Sequence, residues 1–256
     1  MRGSESVLDR EYIPNELPHR DGHIQDLRQT LSTIPDPKGH ELIAIYGPAG
    51  SGKTTLARYV TQRFNVEYSA LKVGYVDCVT SGTQTSVLHE LLTQTGHLPN
   101  TGATQGYDYL ARIQETTDPL LLIIDELDFL DDPSLIHSLY GTYGVWAIFI
   151  GIDEYDILDG LHSGTRSRLQ TAHHIRLSKY TTQQLADILW DRIDLGLRHD
   201  LVSQSVIQEI AKRARGDAHM AISLLRESVS HLDPHQPEPI TIELLDEVEE
   251  TVSVDV

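Results

Sequence analysis

The sequence predicts an α/β fold, in which a five-stranded parallel β-sheet flanked by helices is followed by an all-helical module. Over residues 42–177, short apolar runs that end in turn residues alternate with helical stretches. This alternation is typical of βαβ units, whose parallel strands are buried on both faces of the sheet. After residue 177 such runs stop and only helical periodicity remains, which predicts the helical module.

The α/β part begins with a predicted helix over residues 20–34, because Ile24, Leu27, Leu31 and Ile34 share one helical face. Prolines and a glycine in the next five residues end this helix. Five predicted strands follow, at residues 42–46, 72–76, 120–124, 145–150 and 174–177. Helical stretches separate them, for example at residues 54–64 and 86–95. We therefore assign residues 1–178 to one α/β domain.

Residues 179–256 form the predicted helical module. Its apolar stripes contain Leu185, Ile188, Leu189 and Ile193, then Val206, Ile210 and Ala211, then Ala221, Leu224 and Leu225, and finally Leu244, Leu245 and Val248. Asp217 and Thr241 precede the third and fourth stripes, where a short oxygen-bearing side chain can cap a helix. The spacing predicts four helices.

Composition and charge exclude several classes of protein. No apolar run reaches membrane-spanning length and no apolar segment marks the N-terminus, which predicts a cytoplasmic protein without a membrane partner. The single cysteine, Cys78, excludes an internal disulfide and a cysteine metal site. The formal net charge is −18. Such a field repels nucleic acid at ordinary salt, so DNA contact would need a local basic patch.

Lysine is scarce in this acidic chain. The lysines are Lys38, Lys53, Lys72, Lys179 and Lys212, out of 20 lysine and arginine residues together. An acidic, lysine-poor composition is typical of proteins that work in high salt, and it predicts a halophilic protein. The alternative is an acidic protein that its charge keeps soluble.

The first motif is a glycine-rich loop at residues 47–54, which matches G-x-x-x-x-G-K-S/T. It follows a predicted strand and opens a predicted helix, which is the context that binds phosphate through backbone N–H groups and the helix N-terminus. In such a loop Lys53 reaches the β- and γ-phosphates and Thr54 ligates Mg²⁺. The motif therefore predicts ATP or ADP with Mg²⁺ as cofactors.

The second motif is the acidic pair Asp125 and Glu126 at the end of the third predicted strand. Asp125 is suited to hold Mg²⁺ through water, and Glu126 is suited to polarise the attacking water as a general base. Solvated acids at a strand end are the alternative for such a pair in isolation. Asp128, Asp131 and Asp132, which follow, are interpreted as surface acids.

These motifs and several others resemble the archaeal origin-recognition initiators, AAA+ ATPases of the ORC and Cdc-six type. Residues 125–130 resemble that family's D-E-aliphatic-D-x-L box, and residues 47–55 resemble its G-x-x-G-x-G-K-T box. Residues 12–20 resemble its Y-x-P-x-x-L-P-x-R box, and 98–102 its P-x-T-G segment. Other segments resemble its F-x-x-Y-T box and its G-D-A-R…L-L-R helix, at residues 177–181 and 216–226. The resemblance spans residues 11–250 and implies an AAA+ P-loop NTPase with a helical lid domain at residues 179–256.

The resemblance also implies a set of nucleotide contacts. Residues 11–20 form an arm that closes over the adenine, with help from Tyr180 of the lid; a packed N-terminal arm is the alternative. The nucleotide-binding residues it implies are Gly47, Pro48, Ala49, Gly50, Ser51, Gly52, Lys53, Thr54, Thr55, Tyr12, Ile13, Arg20, Tyr180 and His219.

Two positions that sense phosphate in the family are altered. Asp153 stands where the family has Asn, and a carboxylate cannot donate a hydrogen bond to phosphate, although it can still orient water by accepting one. His219 stands where the family has Arg, and histidine can replace that charge only when protonated. A lid-surface histidine is the alternative for His219.

The arginine that acts on a neighbouring subunit's ATP is also displaced. Residues 161–169 resemble the family's L-x-P-R-V-x-S-x-L box, but in strict register Gly164 occupies the arginine position. Arg166 and Arg168 follow, and we favour Arg166 as the catalytic arginine; surface arginines are the alternative. The initiators also carry a C-terminal winged-helix domain; we expect the chain to residue 256 to lack it, either through truncation or because the protein works without it.

The resulting hypothesis is a replication-initiator ATPase that acts as a nucleotide-dependent switch in origin recognition or helicase loading. Lys53, Glu126, Asp153 and Arg166 are its candidate catalytic residues, with strong nucleotide binding and slow hydrolysis. Its expected partners are related AAA+ subunits or further copies of itself, and origin DNA through a partner or an absent domain. The alternative is a nucleotide-gated protein-binding regulator without direct DNA contact.

Overall fold

The computed structural model describes residues 5–34, 41–98, 106–140, 142–153, 163–233 and 235–252. It divides the chain into two compact units. The α/β unit contains Arg20–Gly47 and Lys53–Leu177, and the helical unit contains Met1–His19, Pro48–Gly52 and Ser178–Val256. The last segment of the helical unit starts at Ser178, and the sequence predicts the helical module from residue 179.

The α/β unit is built on the predicted five-stranded parallel sheet, which is confirmed. The strands are β1 (Glu41–Tyr46), β2 (Lys72–Asp77), β3 (Leu120–Asp125), β4 (Val145–Gly151) and β5 (His173–Arg176). Their order across the sheet is β2-β3-β4-β1-β5, and every neighbouring pair is parallel. Because all strands run the same way, their carboxyl ends share one edge of the sheet, where ligands bind in open α/β folds.

Burial explains why the strands read differently in the sequence. All residues of β3 and β4 are buried, so these central strands are continuous apolar runs. The edge strand β2 alternates between buried and more exposed residues. Its polar positions, including Tyr75 and Asp77, are therefore compatible with a strand.

Helices cover the sheet of the α/β unit. In the described residues they are α1 (Asp21–Leu31), α2 (Lys53–Glu67), α3 (Gln84–Thr95), α4 (Gly106–Glu115), α5 (Ser134–Leu139) and α6 (Ser163–Gln170). A short 3-10 helix, Leu127–Phe129, follows β3. The hydroxyl of Thr83 caps α3 by accepting from Ser86 N, and Gly96 ends this helix in the left-handed conformation.

The helical unit contains four longer helices, as the sequence predicts. They are α7 (Thr182–Gly196), α8 (Gln204–Arg213), α9 (Ala218–Ser230) and α10 (Ile242–Val252). Thr181 and Gln184 form a reciprocal capping box at α7, and the carboxylate of Asp217 caps α9 by accepting from Met220 N. Apolar side chains from all four helices form one buried core, which includes Leu189, Ile210 and Leu224.

Residues 5–19, which include most of the predicted arm, group with the helical unit, whereas the sequence predicts them as part of the α/β domain. Glu5–Leu8 form a 3-10 helix, and the side chains of Val7 and Leu8 are buried in the core of the helical unit. Arg192 of α7 donates a 2.9 Å hydrogen bond to the carbonyl oxygen of Val7. Burial of two apolar side chains and a satisfied buried guanidinium hold this N-terminal segment in the helical unit.

No helix among the described residues is long and apolar enough to cross a membrane.

Candidate functional site

The glycine-rich loop follows β1 directly and leads into α2, as its motif predicts. Gly50 and Gly52 have φ values of +66° and +87°, a left-handed conformation that glycine adopts without steric cost. Ser51 is fully buried. The loop therefore curls at the two glycines, and this is the geometry that turns successive N–H groups toward an anion.

Lys53 is the first residue of α2 and is buried, with 7% of its surface exposed. Its ammonium nitrogen donates a 2.7 Å hydrogen bond to the carbonyl oxygen of Gly47, at the other end of the loop. Because a buried ammonium needs an acceptor, this bond holds Lys53 against the loop. A phosphate oxygen offers the same ammonium a stronger, charged acceptor.

Asp125 is the centre of a hydrogen-bonded cluster at the carboxyl end of β3. Its Oδ2 accepts from Thr54 Oγ1 at 2.6 Å and from Tyr75 Oη at 3.0 Å. Its Oδ1 accepts from the backbone N–H of Glu126 at 2.9 Å. Only 2% of the residue is exposed. Burial raises the pKa of Asp125, and the hydrogen bonds from Thr54, Glu126 and Tyr75 oppose this rise.

Tyr75 of β2 was not among the predicted site residues. In the parallel register Tyr75 lies opposite Ile123, two positions before the end of β3, so its side chain can reach the same sheet edge as Asp125. The sequence carries a weak signal for it, since a tyrosine near the end of one strand can meet an acid that ends the next. Burial raises its pKa well above the ordinary value, so its hydroxyl is a donor at neutral pH.

Glu126 follows Asp125 in a left-handed backbone conformation, with φ +51° and ψ +52°. Non-glycine residues adopt this conformation rarely, and such strain is concentrated at functional sites. The side chain is half-buried. Burial and then the charge of Asp125 raise its pKa, while Lys53 lowers it. A raised pKa makes a carboxylate a stronger base.

Thr54 and Asp125 fit a magnesium ion by their chemistry. Mg²⁺ prefers oxygen ligands, keeps several waters and takes only one or two protein groups alongside phosphate. The two side chains present oxygens 2.6 Å apart, both from the ends of elements at the same sheet edge. Among the described residues, no group of three or more His, Cys, Asp or Glu side chains could hold a metal by itself.

Asp153 lies just after β4, as predicted, and is half-buried. The residue before it, Ile152, connects this strand end to its surroundings: its carbonyl oxygen accepts from Gly47 N at 3.2 Å, and its N–H donates to Asp128 Oδ2 at 3.1 Å. The sequence pattern predicts a surface acid at Asp128. It is exposed, but it also ties the strand end that precedes Asp153.

In the helical unit, α9 begins at the glycine-rich loop. Ala218 N donates a 3.0 Å hydrogen bond to the carbonyl oxygen of Gly50. Tyr180 is buried, and its hydroxyl lies 2.8 Å from the position that a Cβ on Gly52 would occupy. The loop segment Pro48–Gly52 therefore packs against Tyr180, which the resemblance assigns to nucleotide contact, and against Ala218, which precedes His219 in the chain.

His219 is the second residue of α9 and is half-buried. Burial lowers its pKa, and the charges of Arg10 and Arg226 lower it further, against an opposing effect of Asp217. The imidazole is therefore neutral at neutral pH. This protonation state argues against a phosphate sensor that depends on positive charge.

The predicted adenine-covering residues of the arm lie in two places. Tyr12 packs in the helical unit, where the Arg192 guanidinium carbon lies 4.5 Å from the centre of its ring. Ile13 is half-buried, and Arg20 is 4% exposed and starts the α/β unit. The packing of Tyr12 agrees with the alternative of a packed arm, and adenine contact stays a prediction.

Two other predicted features are described only in part. Arg166 lies in α6 and is half-buried. The side chain of Arg168 and the P-x-T-G residues 99–102 lie outside the described residues. The role of an arginine from this helix stays a prediction.

Comparisons with known proteins identify the family of this chain. The model of the AAA domain family matches residues 36–158, and that of the Cdc6 AAA+ ATPase-type lid domain matches residues 186–250. The ORC1-type DNA replication protein 9 of Halobacterium salinarum is 31% identical over 242 residues, which cover 93% of this chain and 68% of that protein. The ORC1-type DNA replication protein 1 of the same organism is 32% identical over 247 residues, which cover 94% and 80%.

The chain belongs to the ORC1-type DNA replication protein family. The structure of the Aeropyrum pernix ORC1 protein in complex with DNA has the same fold, with a TM-score of 0.84 at 24% identity, covering 98% of this chain and 70% of that one. This ORC1-type protein is thus an AAA+ ATPase homologue with a Cdc6-type lid. The family resemblance drawn from its motifs is confirmed.

Proposed function

We propose that this ORC1-type protein is a nucleotide-dependent switch of DNA replication, which binds ATP with Mg²⁺ tightly and hydrolyses it slowly. The observation that carries the proposal is the 2.6 Å hydrogen bond between Thr54 and Asp125. It joins the end of the phosphate loop to the acid that ends β3, and Glu126 is the next residue along the chain. One small cluster of side chains is thus suited to bind phosphate, to bind a metal ion and to supply a general base.

Each residue of the cluster has a proposed role. Lys53 neutralises charge on the β- and γ-phosphates, and the loop N–H groups bind their oxygens. Thr54 and Asp125 would hold Mg²⁺, which would supply positive charge to stabilise the negative charge that develops on the phosphates. Glu126 orients the attacking water and accepts its proton, for which its raised pKa is suitable.

Slow hydrolysis follows from the groups that would sense phosphate. Asp153 presents a carboxylate, which can accept a hydrogen bond from water but repels phosphate. His219 is neutral at neutral pH because burial and neighbouring arginines lower its pKa. An arginine supplied across a subunit interface is worth ~10³–10⁵ in rate in phosphoryl-transfer enzymes, and we assign that role to Arg166. Isolated subunits therefore turn over slowly.

The nucleotide base has its own proposed contacts. We assign adenine contacts to Tyr12, Ile13, Arg20 and Tyr180, each on the family resemblance of residues 11–20 and 177–181. Tyr180 is the best supported of these, because its hydroxyl lies beside Gly52 of the phosphate loop.

DNA is the proposed partner with the strongest precedent, since the ORC1 protein of Aeropyrum pernix was solved in complex with DNA. The net charge of −18 opposes such binding at low salt. It also favours a second function, a nucleotide-gated regulator that binds related AAA+ subunits and not DNA. The same charge and the kinship with two Halobacterium salinarum proteins support a protein that works in high salt.

Two measurements test the proposal. The first identifies the nucleotide that co-purifies with the protein and measures ADP affinity for the wild type, Lys53→Ala and the control Lys212→Ala on α8. The proposal expects bound ADP or ATP and a loss of affinity for Lys53→Ala alone. Equal affinity of the three proteins would contradict it.

The second measurement separates the two functions by DNA binding across a salt series. If the protein neutralises DNA phosphates, affinity falls steeply and linearly on logarithmic axes as salt rises. Absence of binding at every salt concentration, with nucleotide binding intact, would favour the regulator.

A further inference from the structure

The carboxylate of Asp125 accepts three hydrogen bonds, and the one from Tyr75 is not expected from the sequence motifs. Thr54 is expected beside it from the phosphate-loop motif, and the N–H of Glu126 is local. Tyr75 comes from the neighbouring strand β2, and its hydroxyl donates to Oδ2 at 3.0 Å, the same oxygen that accepts from Thr54. Both oxygens of the carboxylate are thus oriented by donors from separate elements.

The backbone of Tyr75 is also fixed by hydrogen bonds. β2 is an edge strand, so within the described part of the chain one side of its backbone has no neighbouring strand. Gln94 of α3 binds this side at Tyr75: its Oε1 accepts from Tyr75 N at 2.8 Å, and its Nε2 donates to Tyr75 O at 2.7 Å. The side-chain amide therefore replaces the missing strand at this one residue and fixes the point from which the ring projects.

The ring of Tyr75 also contacts a side chain of α2, the helix that follows the glycine-rich loop. The Arg58 guanidinium carbon lies 5.1 Å from the ring centre, within the range of a cation–π contact. Arg58 is four residues after Thr54 on α2, so both project from one face of that helix. One side of α2 thus positions Thr54 at the carboxylate and Arg58 at the tyrosine that binds the same carboxylate.

We propose that Tyr75 is a positioning residue for the magnesium-side carboxylate, which it holds in the orientation needed to bind metal-bound water. The inference rests on the proposed function, because it assigns Asp125 to Mg²⁺. Packing of the ring alone would not require the Tyr75 hydroxyl to donate to Asp125. Partners that orient a metal-binding group in this way change metal affinity by ~10–100-fold when removed.

The test compares Tyr75→Phe with Tyr107→Phe and measures ADP binding by calorimetry, first in EDTA and then across a Mg²⁺ titration. Tyr107 is the matched control, because its side chain is 68% exposed on α4. We expect Tyr75→Phe to lower the Mg²⁺ affinity measured in the titration by about tenfold and to leave ADP affinity in EDTA unchanged. Tyr107→Phe is expected to match the wild type in both.

A double-mutant cycle with Asp125→Asn keeps the inference independent of general effects on folding. If Tyr75 acts through the carboxylate, Tyr75→Phe has little further effect on Mg²⁺ affinity when Asp125 is already replaced. Additive losses would overturn the inference, as would a Tyr75→Phe protein whose Mg²⁺ titration matches the wild type. Thermal unfolding of each variant without nucleotide shows that the proteins compared are folded.

The same data distinguish failure of the inference from failure of the proposed function. If the wild type binds ADP in a Mg²⁺-dependent way and Tyr75→Phe does so equally, only the role of Tyr75 is wrong. If the wild type shows no Mg²⁺ dependence at all, the assignment of Asp125 and the role of Tyr75 are both wrong.

Discussion

Gly50→Ala should destabilise the helical unit, because Gly50 meets the cap of α9. The backbone at Gly50 is left-handed, with φ +66°, and an added Cβ would overlap the carboxylate of Asp217. That carboxylate caps α9 by accepting from Met220 N at 2.9 Å. Alanine therefore has two costs: a strained backbone and a displaced cap.

The two costs can be given magnitudes. A left-handed conformation costs a non-glycine residue about 1–2 kcal/mol, and the loss of an N-cap typically costs ~1 kcal/mol. We expect Gly50→Ala to lower the free energy of unfolding by about 2–3 kcal/mol. For a protein of this size, each ~1 kcal/mol corresponds to a fall of about 2–4 °C in Tm.

The matched control is Gly96→Ala. Gly96 is also left-handed, with φ +77°, but an added Cβ there meets nothing within 4 Å. It should show the backbone cost alone, about 1–2 kcal/mol. The difference between the two variants then isolates the contact with Asp217.

The assay is urea denaturation, combined with hydrogen exchange over residues 217–225. Gly50→Ala should speed exchange in this segment, whereas Gly96→Ala should not. In an Asp217→Ala background the cap is already absent, so Gly50→Ala should cost no more than Gly96→Ala. Equal costs of the two glycine variants in the wild-type background would refute the reasoning.

Three further predictions concern charge and pH. Arg213 binds Glu209, Asp246 and Glu249 within 2.9 Å, so Arg213→Met should lower unfolding free energy by ~1–2 kcal/mol, and less in high salt, which screens the remaining carboxylates. The pKa of His219 is lowered in the folded protein. The neutral imidazole therefore contributes its full stability above the ordinary histidine pKa, and this stability is lost as pH falls toward the lowered value. In urea denaturation, the unfolding free energy of His219→Gln should depend less on pH than that of the wild type. Because the pKa of Glu126 is raised, single-turnover hydrolysis should slow as pH falls through that value, and a rate independent of pH would contradict its role as base.

The sequence was sufficient for features that depend on local pattern. The strands β3 and β4 are continuous apolar runs because both of their faces are buried, and burial on both faces is visible in composition. The glycine-rich loop was equally readable, since its glycines, lysine and threonine are consecutive. The cap at Asp217 was predicted because a cap lies next to the helix it stabilises.

Features that depend on contacts across the fold were not readable. Tyr75 meets Asp125 only because β2 and β3 pair in a particular register, and periodicity does not contain that register. The sequence predicts a surface acid at Asp128, yet its carboxylate accepts from Ile152 N at the end of a different strand. Position along the chain predicts that residues 5–19 belong to the α/β domain. Val7 and Leu8 are instead buried in the core of the helical unit, a long-range contact that the sequence pattern does not contain.

The left-handed backbone of Glu126 was also invisible in the sequence, since glutamate has no preference for that conformation. Where local preference and structure disagree at a residue with a proposed catalytic role, the disagreement is itself a sign of function.

The most direct test of the account is single-turnover ATP hydrolysis by the wild type, Glu126→Gln and the control Glu115→Gln, with Mg²⁺ and in EDTA. Glu115 is an exposed acid at the end of α4. The account predicts slow, Mg²⁺-dependent hydrolysis that Glu126→Gln abolishes and Glu115→Gln leaves intact, with ATP binding retained in all three. Hydrolysis by Glu126→Gln at the wild-type rate, or turnover without Mg²⁺, would contradict it.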